Sequence, residues 1–412
     1  MKSRNTKISR IACLCAVAAA TALPSSPSVA DDVSAFWKEA SPILNVRYRL
    51  ETVDQDGFAD DALANTIRAR VGFKTGEAYG FSLLADGEFV THIGDEDYNS
   101  IENGQTAFPV VADPDSAELN RLQISYRPNA QAGIVLGRQR INLGNQRFVG
   151  AVGFRQNEQT YDAVRLDGSP HEKVDVSYIY ANQVNRIFGA GNPRETFEGD
   201  IHLLDATVKA AEGVKVRGYY YNIDLDDAVA VSTATFGARV DGAYKTVNGA
   251  KLMASAELAS QSDVGDNPND VDLLYAAASF GAGKGRISGW AGFESLEGDG
   301  TTGFSTPLAT LHKFNGFADA FLTTPADGLE DYYVKGVVKF GDISFAENVV
   351  LGLWAHKFQS QNSGADLGSE FDVKLGASFK ERFGAELKYA SYDGEDGPAS
   401  RDKLWFALSA KY

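Results

Sequence analysis

From Pro42 onward, apolar and polar residues alternate in runs of about ten, broken by Gly, Asp, Asn and Pro. A period of two puts successive side chains on opposite faces of a strand, and a tilted strand of about ten residues crosses a bilayer. In the first run Leu44, Val46, Tyr48 and Leu50 oppose Asn45, Arg47, Arg49 and Glu51; in the second Ile67, Ala69, Val71 and Phe73 oppose Thr66, Arg68 and Arg70. The C-terminal runs are as regular: Phe371, Val373 and Leu375 face away from Asp372 and Lys374, and Leu404, Phe406 and Leu408 away from Lys403 and Ser409. The pattern predicts an all-β chain, a transmembrane antiparallel β-barrel of about 18 strands, the even number of a single-chain barrel whose ends meet on one side.

The predicted strands begin near Leu44, Leu63, Tyr79, Leu119, Ala132, Thr160, Val174, Ile201, Val214, Ala234, Ala250, Asp272, Arg286, Asp331, Val349, Phe371, Phe383 and Lys403. Tight connections such as Pro128 to Ala130 and Ala211 to Gly213 take turns with long ones, including His92 to Ser116, Asn142 to Asn157 and Leu296 to Gly328. Short turns on one side and long loops on the other are the layout of a bacterial barrel with periplasmic termini. The last residue, Tyr412, stands in phase with the apolar face.

Residues 1–30 read as a signal peptide: Lys2, Arg4, Lys7 and Arg10, an apolar run from Ile11 to Leu23, and Ser28-Val29-Ala30 before Asp31. Residues 31–412 are then a single outer-membrane barrel. Both cysteines, Cys13 and Cys15, fall within the leader, which excludes a disulfide scaffold and thiolate metal sites in the mature chain.

The formal charge of −16 excludes nucleic acid as a partner, because that requires a basic face. Its location matters more than its size. Asp54, Asp56, Asp60, Asp61, Asp95, Asp113, Asp115, Asp226 and Asp227 are among the many acids in predicted loops, so a negative rim is compatible with a positive lumen.

The densest basic stretch, Gly137 to Leu166, carries Arg138, Arg140, Arg147, Arg155 and Arg165 with Glu158 and Asp162. Its GRQ, R-F-V-G, F-R-Q-N and T-Y-D-A-V-R-L elements, with Arg47-Tyr48-Arg49-Leu50-Glu51, Arg68-Ala69-Arg70 and Glu88 upstream, resemble the alginate-export porin family of outer-membrane β-barrels over roughly the first third of the mature chain. The resemblance implies a cationic constriction guiding a uronate polymer outward, with Arg138, Arg155 and Asp162 inside the matching motif, and leaves room for a periplasmic secretion partner.

From the residues themselves, Arg47, Arg49, Arg68, Arg70, Arg121, Arg127, Arg138 and Arg140 recur at inward positions of neighbouring strands. They either form an anion-selecting, carboxylate-binding ring, or pair with Glu51, Asp86, Glu88 and Asp162 to stiffen the barrel. Strict alternation puts Arg138 and Arg140 on the face of Ile134 and Leu136, which demands either a bulge near Gly137 or a partly apolar lumen.

Other motifs carry less. Gly281 to Gly285 lacks the residues of a phosphate loop, and the five histidines have no metal-ligand spacing. Asp54, Asp56 and Asp60 are weak calcium candidates without the twelfth-position Glu. No cofactor and no catalytic triad is expected. The expected function is passive diffusion of an anionic, alginate-like polysaccharide or oligosaccharide through a non-enzymatic channel embedded in outer-membrane lipid and lipopolysaccharide. A general or sugar-acid uptake porin, and an adhesion barrel working through its acidic loops, are the alternatives.

Overall fold

A computed structural model describes residue 34 and residues 36–412. The leader reading falls outside the described residues. Among them, eighteen strands form one antiparallel sheet. In chain order they are β1 (Ser41–Gln55), β2 (Ala62–Lys74), β3 (Phe81–His92), β4 (Ser116–Asn129), β5 (Ala132–Gln139), β6 (Thr160–His171), β7 (Val174–Asn185), β8 (Thr196–Ala211) and β9 (Val214–Leu225). They continue as β10 (Thr233–Lys245), β11 (Lys251–Asp263), β12 (Asp272–Lys284), β13 (Ile287–Leu296), β14 (Leu329–Ile343), β15 (Ala346–Gln359), β16 (Asp366–Phe379), β17 (Phe383–Asp393) and β18 (Arg401–Lys411).

Each strand pairs with its sequence neighbours, and β18 closes on β1 with Leu50 opposite Phe406 and Arg47 opposite Ser409. Closure leaves no sheet edge, so the backbone hydrogen bonds of the wall are satisfied without water. The outward positions Leu44, Phe89, Ile124, Leu204, Leu274, Phe371 and Leu408 are exposed, and the alternate positions Glu51, Glu88, Leu203, Tyr275 and Asp372 are buried toward the lumen. Strands eight and sixteen begin earlier than the alternation suggested, at Thr196 and Asp366, because both extend beyond the apolar belt into their loops.

Alternation did not disclose how the lumen is filled. Many inward residues of β7, β8, β9 and β12 are apolar as well: Ile179, Ile201, Leu203, Tyr219, Tyr221, Leu273 and Tyr275 join one buried cluster with Ile141, Leu143, Phe148 and Val149 of the β5–β6 loop and Phe304, Leu308 and Phe321 of the β13–β14 loop, while β10 and β11 turn Thr233, Thr235, Glu257 and Gln261 inward. Both long loops fold inward, and Val149 and Leu308 meet in a parallel bridge. β7, β8, β9 and β12 carry apolar residues on both faces because one faces lipid and the other a packed core. The same cluster takes in Phe358, Leu367, Tyr392 and Trp405 of β15 to β18, so the two loops fill the lumen across its width.

Candidate functional site

Two arginines of β1 fix the β5–β6 loop. Arg47 donates to Gln156 Oε1 at 2.9 Å and to the Gly153 carbonyl at 3.0 Å, and also to the Arg155 carbonyl. Arg49 donates to the Phe154 carbonyl and pairs with Asp113 at 3.0 Å. Arg155 then reaches Glu51 at 2.9 Å, Asp113 at 3.8 Å and Asp319 of the second loop at 3.5 Å. Asp113, read from the sequence as a rim acid, is fully buried in this network, because the β3–β4 loop also returns to the wall.

The remaining arginines divide by location. Arg70 pairs with Glu88 and, at 3.1 Å, with Glu158, which also holds Arg140 at 2.5 Å. Arg121 pairs with Asp86 at a bulge where Asn120 is the extra residue. Arg165, bound to Asp167 at 2.8 Å, shares with Arg140, Arg127 and Lys74 a cavity of about 320 Å³ on the side of the short turns. Buried guanidinium groups matched this way are fillers of the wall as much as a field for solutes.

Arg138 and Asp162 do not face the lumen, and their placement as pore residues is corrected here. The β4–β5 and β5–β6 pairings run through Gly137 without a register shift, setting Arg138 opposite the lipid-facing Leu122 and opposite Asp162. Ile134, Leu136 and Arg138 therefore share the outer face, as strict alternation dictates; only Arg140, beyond the strand end, turns inward. Gly137, at φ +108°, sits so close to β4 that a Cβ would lie 2.3 Å from the Leu122 carbonyl oxygen. Asp54, Asp56 and Asp60 belong to no group of three or more metal-ligating side chains among the described residues.

A lumen cavity of about 810 Å³ is lined by Arg47, Arg49, Arg68, Lys313, Lys335, Lys374 and Lys388, with Glu386 the one carboxylate among the described lining residues. Like charges stand directly opposite within it, Arg47 against Arg68 across β1 and β2, and Lys374 against Lys388 across β16 and β17. Such pairs destabilise a sheet unless something else uses the field.

Aromatic faces hold several of these cations. Trp290, Lys335 and Trp354 form one row across β13, β14 and β15, with the Lys335 ammonium 5.3 Å and 4.9 Å from the two ring centres. Lys388 lies 4.3 Å from the Phe154 ring and 4.5 Å from the Phe317 ring, and 2.6 Å from His312 Nε2. A ring quadrupole stabilises a cation without cancelling its charge. A second cavity of about 250 Å³ adjoins the first through Lys313, Phe317, Lys335 and Trp354.

The lysines of β14, β16 and β17 were not among the sequence candidates. Their inward phase was readable, but Lys335 and Lys388 lie far along the chain from Arg47, and only barrel closure sets β18 against β1. Phe154, His312 and Lys313 project from loops, where period two says nothing.

No family model matches the sequence, and no curated protein matches it. Solved structures do resemble the fold. OpdK of Pseudomonas aeruginosa, crystallised with vanillate, superposes with a TM-score of 0.72 at 14% identity, covering 92% of this chain and 99% of that one. OpdO of the same organism gives 0.69 at 12% identity over 92% and 99%, and OpdL 0.69 at 14% over 91% and 99%. OpdK is described as an outer membrane protein. With the fold of these proteins, a closed wall and an apolar outer belt, the chain is an integral outer-membrane β-barrel.

Proposed function

We propose that the protein is a passive outer-membrane channel for small organic anions, carboxylates of the size of a sugar acid, moving inward. One observation carries this reading: the lumen cavity of about 810 Å³ brings together seven basic side chains and one carboxylate, with like charges opposed across neighbouring strands. Arg49 already has Asp113 and Lys374 has Glu386; a passing carboxylate supplies counter-charge to the rest of the cluster, and guanidinium and ammonium groups are its natural donors.

Small solutes fit this lumen better than a polymer, because two inward loops narrow it and bind each other and the wall. Polysaccharide export, implied by the resemblance of the Gly137 to Leu166 stretch, has less support: within that stretch Arg147, Arg155 and Glu158 hold the β5–β6 loop in place. The structure of OpdK with vanillate, itself a small carboxylate, agrees with the uptake reading without assigning the solute.

The test is reconstitution in planar bilayers under a potassium chloride gradient, with liposome swelling in glucuronate against a neutral sugar of equal size. Anion-selective reversal potentials and faster swelling in glucuronate are expected. Cation preference, or no conductance, overturns the reading.

A further inference from the structure

We propose that Glu386 is a resident counter-ion of the channel, exchanged for the carboxylate of a passing solute, and that it sets the strength of anion selectivity and the time a solute spends in the lumen. The inference rests on the channel reading above.

Glu386 sits inward on β17, two residues from Lys388, and its Oε2 accepts from Lys374 Nζ at 2.6 Å. Lys374 is itself directly opposite Lys388. The one carboxylate among the described lining residues thus pairs with one of two facing ammonium groups, while the other, Lys388, is turned to His312 and the Phe154 ring.

This ion pair differs from those that hold the β5–β6 loop. Arg49 with Asp113 and Arg155 with Glu51 are sealed from solvent, with side chains less than one tenth exposed. Lys374 and Glu386 keep 39% and 35% of their side-chain surface open. The sealed pairs cannot change partners without burying an orphan charge. An open pair is weak, screened and free to exchange.

Exchange matters for conduction, which needs an anion bound firmly enough to enter and loosely enough to leave. Without Glu386, the lysines of this cavity would hold a carboxylate too well. Glu386 presents the same chemical group as the solute, so entry swaps one ammonium–carboxylate contact for another, and the return of Glu386 to Lys374 releases the solute. Specificity then arises as a difference between two carboxylates competing for one ammonium. The bland alternative is that Glu386 only relieves the repulsion between Lys374 and Lys388.

Single-channel recording of the full chain separates the two, comparing wild type, Glu386→Gln, Lys374→Gln and the double variant, with potassium glucuronate as the probe. Glu386→Gln is expected to raise the chloride-to-potassium permeability ratio roughly two- to fivefold and to lengthen glucuronate blockades by a similar factor. Lys374→Gln leaves Glu386 unopposed and lowers the ratio, and the double variant returns it toward wild type. Glu386→Asp, which keeps the charge with a shorter reach, gives an intermediate value and serves if Glu386→Gln does not fold, as judged by heat-dependent gel migration. A selective wild-type channel in which Glu386→Gln leaves ratio and blockade unchanged overturns this inference alone. A wild type that is closed or prefers cations overturns the channel reading, and this inference with it.

Discussion

Arg138 Nε lies 2.7 Å from Asp162 Oδ1, on the outer surface of the barrel rather than in its lumen. The same guanidinium donates to the Leu119 carbonyl at 3.1 Å. β5 ends at Gln139 while β4 continues past Arg121 to Ser116, so Leu119, paired with Gly87 of β3 on one side, has no strand partner on the β5 side. Arg138 ties β4 to β6 over the end of β5, where the chain leaves the wall and dives inward.

Replacing Arg138 with Ala is therefore expected to leave ion selectivity unchanged. It removes a two-strand clip and leaves Asp162 without its cation, at a cost of about 1–3 kcal/mol. A lower temperature for loss of the folded, fast-migrating gel form, with an unaltered reversal potential, is the expected pair of results. A shifted reversal potential would return Arg138 to the pore.

Lys335→Met should reduce anion preference while keeping the packing between Trp290 and Trp354. Removing one uncompensated cation changes the permeability ratio by a factor of about two to five, the effect fading at high salt as screening shortens below the pore width. Measuring reversal potentials at two ionic strengths decides it. Equal selectivity in variant and wild type at low salt would show that the aromatic row is purely structural.

Gly316 marks the docking point of the β13–β14 loop. At φ +83°, it lies so near the wall that a Cβ would come within 2.3 Å of the Glu370 carboxyl carbon, while Ala318 N–H donates to Glu370 at 2.7 Å. Gly316→Ala brings both backbone strain and a clash, about 1–3 kcal/mol. A larger, noisier conductance is expected as the loop swings free; a wild-type trace would mean the loop does not define the path.

Acid should loosen the same loop. Buried His312, with Nδ1 2.7 Å from Asp319, has its pKa well below the ordinary imidazole value, through burial first and then the neighbouring Lys388 charge. Asp319, despite the penalty of burial, is held well below the carboxylate range by the His312 N–H, Lys403 and Arg155. In both cases the released loop binds protons that the docked loop refuses, so docking weakens as pH falls. The loss begins below about pH 6.5 through His312 and grows below about pH 4 through Asp319. Hydrogen-exchange protection factors at residues 311–319, taken relative to the intrinsic rate at each pH, should fall on acidification; stronger protection at pH 4 than at pH 7 would contradict the assignment.

The sequence by itself determined the wall. Period-two alternation depends only on each strand having a lipid side and a lumen side, so Leu44 against Arg47, or Leu375 against Lys374, could be read locally; the phase of Ile134 and Leu136 raises a conflict at Arg138, for which alternation alone allows a bulge or an apolar lumen and which the pairing through Gly137 resolves outward. Alternation could not tell that Asp113 turns inward or that Phe154 and His312 meet beneath Lys388, because loops carry no period. Tertiary structure alone decided the site: closure of β18 on β1 brings lysines from the end of the chain beside arginines from its beginning. The apolar inner positions of β7, β8, β9 and β12 are covered by two long loops drawn into the lumen, because packing against the loops removes them from water.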